Sequence, residues 1–226
     1  MSQVTIPGGR VDVTKVRALL RENDLTSWDD VWKAKVIPWE GGFSQPPLKE
    51  VIESGEVDFP RQGRALVPGC GSGYDAILFA SSLGLDSVGM DISETAIQVA
   101  NGNLAALETP PKGEVKFTTG DFLTLELPDE EKVDLIYDCA FFVAIPPSYR
   151  PAWSRQMINL IKPGGYLITL IFPMDPLSDI GPPWSVRPSH YHELLDGNFV
   201  KVVDRESEVS LPGRAGRERI AVWRRT

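Results

Sequence analysis

Three glycines and one aspartate have the types and the spacing of a nucleotide-binding turn. Gly69, Gly71 and Gly73 follow the apolar run 65–67, and Asp91 comes about 20 residues later, at the end of a second apolar run. Glycines let the backbone approach a ligand where a Cβ would block it. An acid at that distance can accept hydrogen bonds from both hydroxyls of a ribose. The pattern predicts a nucleoside-bearing cofactor, against the simpler alternative of a tight turn between a core strand and a helix.

Three tryptophans lie close together before this turn. Trp28 and Trp32 are spaced as on one helix face, and Trp39 lies in a loop rich in Pro and Gly. Each aromatic face attracts a cation by roughly 0.5–2 kcal/mol. The group therefore predicts a lid over a positively charged ligand, with core packing as the alternative.

General-base and metal chemistry have few candidate residues. The only histidines, His190 and His192, fall on a late helix next to Glu193, where a surface position is favoured. Cys70 and Cys139 have no partner cysteine two residues away, and no cluster has the spacing of metal ligands. A hydroxyl acceptor needs a base or a metal for its deprotonation, whereas soft anions and acidic thiols need neither. The residues favour chemistry on a soft nucleophile.

Alternating strands and helices must position these side chains. Strands are predicted at 64–67, 87–91, 115–118, 133–137 and 166–172, with an antiparallel closing pair at 199–205 and 219–223. Helices are predicted at 13–21, 48–54, 74–83, 93–107, 151–161 and 189–195, with Ser27 capping a further one that carries Trp28 and Trp32. This alternation indicates an α/β fold whose mostly parallel sheet has helices on both faces. Ligands of such sheets bind at the carboxyl ends of strands, where Gly69, Asp91, Asp121 and Asp138 fall.

Composition and charge narrow the class of partner. The 226 residues are 42% hydrophobic and 24% charged, with a formal net charge of −8, and the sequence pI is about 4.9. Proteins that bind phosphate backbones normally have a basic face, so nucleic acid is disfavoured. Arginines between positions 214 and 225 alternate with acids, which predicts a solvated strand pair. No run reaches the ~20 apolar residues of a membrane span, and two cysteines suit a reducing compartment. We expect a cytoplasmic protein without membrane contact.

Several longer segments together form a specific pattern. They are Trp28-x-x-x-Trp32 with Pro38-Trp39, Leu66-Val67-Pro68-Gly69-Cys70-Gly71, Gly89-Met90-Asp91-Ile92-Ser93, Gly120-Asp121-Phe122, Asp134-Leu135-Ile136-Tyr137-Asp138, Phe141-Phe142-x-Ala144-Ile145, Arg150-Pro151-Ala152-Trp153 and Leu160-x-Lys162-Pro163-Gly164-Gly165. With them the sequence resembles the thiopurine methyltransferase superfamily, and within it the thiol and halide methyltransferase branch of plants and fungi. The resemblance runs from Trp28 to Trp223. The Gly-x-Gly-x-Gly turn agrees with class I methyltransferases that use S-adenosylmethionine, and it differs from the Gly-x-Gly-x-x-Gly of nicotinamide and flavin sites.

The resemblance implies a fold and a cofactor site. The fold is a single-domain class I methyltransferase, Rossmann-like, with a seven-stranded, mostly parallel sheet; an N-terminal helical lid spans 1–55 and the core spans 60–226. S-Adenosyl-L-methionine is the implied cofactor and S-adenosyl-L-homocysteine the product. The implied cofactor residues are Trp28, Trp32 and Trp39 over the methionine end, Gly69 and Gly71 in the turn, Asp91 at the ribose, Ile92, Asp121 and Phe122 at the adenine, and Cys139.

The implied acceptor pocket departs from the plant pattern at two positions. Cys139 and Phe172 both occur where plant members have tyrosine, so substrate preference does not follow directly from those enzymes. Phe142, Phe172 and Trp184, together with Phe141, are the predicted pocket residues, with core packing as the alternative for Phe141 and Phe142. The expected reaction is in-line methyl transfer to thiols, hydrosulfide, thiocyanate or halide ions, without a metal, a general base or any catalytic residue beyond positioning.

Other functions remain open at this stage. One alternative is an S-methyltransferase for a larger thiol-bearing secondary metabolite, because the loop 173–188 permits a roomier pocket. An amino-group methyltransferase of nucleic acid is disfavoured by the acidic charge and by the missing prolines in Asp138-Cys139-Ala140-Phe141. A catalytically silent cofactor-binding module is disfavoured by the intact Gly69, Gly71, Asp91 and Asp121. A monomer is compatible with the sequence, which does not determine the oligomeric state.

Overall fold

Seven strands form one sheet in the computed structural model, which describes residues 13–226. They are β1 (Arg64–Pro68), β2 (Asp86–Asp91), β3 (Val115–Thr119), β4 (Val133–Cys139), β5 (Ile161–Ile171), β6 (Phe199–Arg205) and β7 (Arg219–Arg225). Their order is β3-β2-β1-β4-β5-β7-β6. The first five strands are parallel, and β7 runs antiparallel between β5 and β6. The predicted seven-stranded, mostly parallel sheet is confirmed.

Seven α-helices connect or precede the strands within the described part of the chain. They are α1 (Thr14–Leu19), α2 (Trp28–Lys33), α3 (Pro46–Glu53), α4 (Tyr74–Ser82), α5 (Glu94–Ala105), α6 (Arg150–Leu160) and α7 (Pro188–Leu195). A proline at the first or second position begins α3, α6 and α7, where the missing N–H has no intrahelical partner to lose. Ser93 caps α5 as predicted, since its hydroxyl accepts from the Ala96 N–H at 3.0 Å.

Two hydrophobic clusters lie on the two faces of the sheet. Neighbouring residues of β4 alternate between them: Ile136 belongs to one cluster, and Leu135 and Tyr137 belong to the other. This alternation follows from the two-residue period of a strand. The first cluster includes Trp153 of α6, and the second includes Phe79 of α4. Helices therefore cover both faces, as the alternating pattern predicts.

Several element boundaries differ from the predicted ones. The first helix is shorter than 13–21, and β5 begins at Ile161. α7 begins at Pro188 after Arg187, so Ser189 is not its cap. Ser27 does not cap α2, because it is already helical (φ −64°, ψ −12°) at the end of a preceding 3₁₀ turn. Its hydroxyl instead donates to the Asp24 carbonyl at 2.5 Å. Within residues 13–226, no helix is long and apolar enough to cross a membrane.

Candidate active site

A cavity of about 770 Å³ lies at the carboxyl edge of the sheet. Its walls include residues that end or follow β1, β2, β4 and β5, and its roof comes from α1, α2 and the loop 173–185. Part of the connection between β6 and β7 closes one side. This volume falls in the range of ligand sites that enclose most of a small molecule, roughly 300–1,000 Å³.

Every predicted site residue except Phe142 lines this cavity. Those residues are Trp28, Trp32, Trp39, Gly69, Gly71, Asp91, Ile92, Asp121, Phe122, Cys139, Phe172 and Trp184. They come from chain segments far apart in sequence, and the sheet edge brings them together. Their individual roles stay predictions.

The glycine turn between β1 and α4 leaves no room for side chains. Gly69 and Gly71 have φ values of +57° and +51°, in the left-handed region that favours glycine. A Cβ on Gly69 would come within 2.8 Å of Phe141, and one on Gly71 within 2.8 Å of Glu40 and 3.2 Å of Trp32. The turn therefore presents bare backbone to the cavity, as a close ligand requires.

Asp91 ends β2 and fastens the turn to it. Its Oδ2 accepts from the Gly71 N–H at 3.0 Å, and its Oδ1 accepts from the Ser93 N–H at 2.9 Å. The side chain is 7% exposed, and burial raises the pKa of this carboxyl despite those hydrogen bonds. Each carboxylate oxygen keeps a second acceptor position, so the two oxygens can receive a pair of ribose hydroxyls.

The tryptophan segment packs over the turn. The rings of Trp28 and Trp39 meet edge to face, with centroids 5.7 Å apart, and Trp32 is 5% exposed. Asp29 ties α2 to the start of α5, because its Oδ1 accepts from the Ser93 hydroxyl at 2.7 Å and the Thr95 N–H at 3.0 Å. Burial alone would raise the pKa of Asp29, but these bonds and the Lys33 ammonium hold it well below its usual range.

The opposite end of the cavity is aromatic and cationic. The guanidinium carbon of Arg214 lies 4.4 Å from the Phe172 ring centroid, and that of Arg217 lies 5.4 Å away. Asp175 holds Arg217 in a two-pronged ion pair with both contacts at 2.7 Å. Arg214 donates to Gln45 Oε1 at 2.7 Å and has the Glu218 carboxylate 4.0 Å away. The prediction of a solvated strand pair is wrong for these two arginines, because the long β6–β7 connection folds them back over the cavity.

Cys139 lies between the two ends, where β4 stops. Burial, followed by the nearby Asp75 carboxylate, raises the pKa of its thiol to about 12. The thiol therefore stays protonated at neutral pH and is a poor nucleophile. The next residue, Ala140, has φ +67°, a conformation that is uncommon for a residue with a Cβ and that recurs at functional sites.

The prediction that Phe142 belongs to the acceptor pocket is wrong. Phe142 is fully buried and packs on Trp153 and Tyr191, with ring centroids 4.8 and 4.2 Å away. Asp138 causes this placement, since its carboxylate accepts from the Phe142 N–H at 3.2 Å and from Trp153 Nε1 at 2.6 Å. The turn after β4 consequently directs Phe142 into the core, while the preceding Phe141 lines the cavity.

Three further charged residues of the cavity have no clear signal in the sequence. Glu40 and Asp75 lie at the glycine turn, and Arg214 lies at the Phe172 end. Glu40 follows the predicted Trp39 and Asp75 follows the glycine motif closely, so proximity to recognised motifs was the available hint. Nothing local in the sequence pairs these acids with each other or places Arg214 against Phe172.

Comparison with known proteins assigns the chain to a family. The sequence model of the thiopurine S-methyltransferase family matches residues 23–225. The chain belongs to that family. The thiopurine S-methyltransferase family match covers the lid segment from residue 23 onward and the whole sheet, so all the predicted site residues fall within it.

Two plant relatives are similar over most of their length. A protein named probable thiol methyltransferase 2 from Arabidopsis thaliana is 38% identical over 209 residues, which cover 92% of this chain and 88% of the relative. Thiocyanate methyltransferase 1 from Brassica oleracea is 36% identical over 199 residues, covering 88% of this chain and 84% of the relative. The predicted resemblance to the plant thiol methyltransferases is confirmed.

Solved structures confirm the class I methyltransferase fold. A 1,6-didemethyltoxoflavin-N1-methyltransferase from Burkholderia thailandensis superposes with a TM-score of 0.67 at 15% identity, covering 94% of this chain and 90% of that one. Magnesium protoporphyrin IX methyltransferase from Synechocystis, solved with S-adenosylhomocysteine, superposes with a TM-score of 0.61 at 16% identity, covering 96% and 95%. With this fold and a family of S-methyltransferases, the chain is an S-adenosylmethionine-dependent enzyme, as predicted.

Proposed function

We propose that this methyltransferase acts on small soft nucleophiles: thiols, hydrosulfide, thiocyanate and halide ions. The Arg214 guanidinium, 4.4 Å from the Phe172 ring centroid, carries this proposal, because it puts positive charge beside an aromatic wall of the cavity. The names of the two plant relatives, a thiol and a thiocyanate methyltransferase, support the same acceptor class.

The bound cofactor supplies an electrophilic methyl group on a sulfonium cation. The chain's residues then have to attract an anion, hold it in line with that methyl group and exclude water. Methyl transfer from a cation to an anion removes both charges, so a dry aromatic pocket disfavours the separated reactants more than the transition state. Phe141, Phe172 and Trp184 supply aromatic surface, and in-line positioning contributes the rest of the rate.

Arg214 would also promote the loss of the proton from a bound thiol. A cation within a few ångströms favours the anionic form of an acidic group and lowers its pKa. Thiols start near 8.5, so a modest lowering makes them substantially ionised at neutral pH. Two titratable groups near this end are poor bases: the Cys139 thiol stays protonated, and the Asp138 carboxylate accepts from Trp153 Nε1 and the Phe142 N–H. We therefore infer transfer without a metal or a general base.

A second candidate acceptor is a larger thiol-bearing metabolite. The loop 173–185 favours it, because several of its residues line the cavity and could surround a larger group on sulfur. For thiol acceptors, the two candidates share the sulfur nucleophile and the cationic end, and they differ in the size of the group attached to sulfur.

The test is a comparison of kcat/KM over a panel of iodide, thiocyanate, hydrosulfide, an aryl thiol and a catechol. We expect turnover of the anions and thiols, no turnover of the catechol, and full activity after exhaustive treatment with EDTA. Iodide methylation should be nearly flat from about pH 6 to 9, whereas thiol methylation should rise toward each thiol's own pKa. Two thiols of different acidity that share one enzyme-derived pKa would contradict the base-free mechanism. Activity confined to bulky thiols would favour the second candidate.

A further inference from the structure

Two carboxylates besides Asp91 lie beside the glycine turn. Glu40 reaches it from the segment before α3, with Oε1 only 2.8 Å from where a Gly71 Cβ would be. Asp75 lies in the first turn of α4, directly after the glycine motif. Both side chains line the cavity, and the charge of Glu40 raises the pKa of Asp75, which places the two groups within electrostatic range of each other.

Among the described residues, no cationic side chain belongs to the groups that shift the pKa of either carboxyl. The backbone N–H and the hydroxyl of Ser72 are the groups that lower the pKa of Glu40. The groups acting on Asp75 are the Gln45 N–H, the Ser44 hydroxyl and Glu40 itself. Asp75 Oδ1 is shut off from solvent and has no hydrogen-bond partner. Carboxylates in such surroundings are costly unless a cation joins them.

The pKa values of both carboxyls are raised, as expected for buried acids without a cationic partner. Desolvation raises the pKa of Glu40, and desolvation with the Glu40 charge raises the pKa of Asp75 to about 7. A positively charged ligand group bound beside the glycine turn would stabilise the ionised forms of both carboxyls.

The methionine part of S-adenosylmethionine brings such a charge, its α-ammonium group. We propose that Glu40 and Asp75 form the receptor for this ammonium group. The group has three N–H donors, and the two carboxyl-bearing residues that would receive them line the same cavity. The proposal concerns the cofactor and is independent of which acceptor is methylated, so failure of the acceptor panel leaves it standing.

The sulfonium is the other cation that the pair could serve, and three ligands separate the two cases. S-Adenosylmethionine has both cations, S-adenosylhomocysteine has only the ammonium, and methylthioadenosine has neither. Dissociation constants of all three are measured by titration calorimetry for the wild type, Glu40→Gln and Asp75→Asn. The controls are Glu108→Gln, which removes one negative charge at an exposed position, and Asp91→Asn, which removes ribose recognition.

We expect Glu40→Gln and Asp75→Asn to weaken S-adenosylmethionine and S-adenosylhomocysteine by a similar factor, on the order of 10-fold or more. Methylthioadenosine binding should be unchanged, which also shows that the variants are folded. Asp91→Asn should weaken all three ligands, and Glu108→Gln none.

Three results would overturn the proposal. Loss confined to S-adenosylmethionine would assign the pair to the sulfonium. Equal losses for all three ligands would mean that the pair supports the turn and recognises no charge. Unchanged affinities throughout would remove the pair from the cofactor site. Glu40→Gln, in a loop, decides the matter alone if Asp75→Asn does not fold.

Discussion

Single side chains give the cavity opposite charges at its two ends. Glu40, Asp75 and Asp91 surround the glycine turn, and Arg214 and Arg217 lie at the Phe172 end. Under the proposed function, the acids would attract the cationic cofactor and the arginines would attract the anionic acceptor.

Arg214 is expected to set the affinity for anionic acceptors. Arg214→Gln removes the guanidinium charge but keeps a polar side chain, so the KM for iodide and thiocyanate should rise on the order of 10-fold. The affinity for S-adenosylhomocysteine should not change. Steady-state kinetics and calorimetry measure the two effects, and Arg224→Gln at an exposed position is the matched control. An unchanged KM would mean that the Glu218 carboxylate already neutralises Arg214.

Phe141 and Phe142 are neighbours with opposite expected phenotypes. Phe142 is fully buried against Trp153 and Tyr191, so Phe142→Leu should lower the free energy of unfolding by about 1–3 kcal/mol and leave the acceptor KM nearly unchanged. Phe141→Leu, in the cavity wall, should alter acceptor kinetics with a smaller loss of stability. Urea denaturation and kinetics on both variants test the pair. A larger KM effect from Phe142→Leu would restore Phe142 to the pocket.

At the scale of elements, side chains of α1 and α2 fasten parts of the roof to segments distant in the chain. Asp29 of α2 bonds to Ser93 and Thr95 at the start of α5. Arg17 of α1 donates to the Pro182 carbonyl at 2.8 Å and so links α1 to the loop 173–185. Because these contacts join segments far apart in the chain, the roof over the glycine turn and the roof over Phe172 are held by separate anchors.

Trp39, in the loop between α2 and α3, should recognise charge. Trp39→Ala removes a face that attracts a sulfonium, so the Kd of S-adenosylmethionine should rise roughly 2- to 30-fold more than that of neutral-sulfur S-adenosylhomocysteine. Trp39→Phe should recover most of the difference, because it keeps an aromatic face. Calorimetry with both ligands measures this. Equal losses for the two ligands would leave Trp39 a packing role only.

At the scale of the whole molecule, buried acids link stability to pH. Burial raises the pKa of Asp75 to about 7 and that of Asp138 to about 6. A raised carboxyl pKa stabilises the folded state below the unfolded value, near 4, and this contribution is lost as the pH rises through the folded value. Acids held by Arg205, such as Glu50 and Glu56, act in the opposite direction, since their pKa values are lowered and their contribution is lost as pH falls.

Asp75→Asn isolates one of these contributions. The groups that face Asp75 are Glu40, Ser44, Gln45 and the Tyr137–Cys139 pair of β4. In the ligand-free protein, the stability of the variant relative to the wild type should increase between about pH 4 and 7 by a few kcal/mol, because the variant has no carboxyl to ionise. Chemical denaturation across this pH range measures the difference. A difference independent of pH would show that Asp75 is ionised at ordinary cost.

The sequence by itself determined the unit of β1, the glycine turn and α4, together with Asp91 at the end of β2. Glycines at 69, 71 and 73 adopt positive φ values that other residues rarely accept, so their spacing alone predicts the turn. The alternation of apolar strands and helices likewise determined the parallel sheet, and the rule that strand ends meet at one edge brought Asp91 and Asp121 to the cavity. These features depend on short-range conformation and on periodicity, which a single sequence displays.

Only the tertiary structure decided which charges and rings share the cavity. Arg214 reaches Phe172 because a long connection folds back over the sheet, and the sequence offers no period or motif for that path. Glu40 meets the glycine turn from the lid segment. Phe142 enters the core, rather than the pocket, because Asp138 binds its N–H and so sets the direction of one turn. Such contacts depend on long-range packing, because a change in the direction of one turn decides whether a side chain enters the core or the cavity.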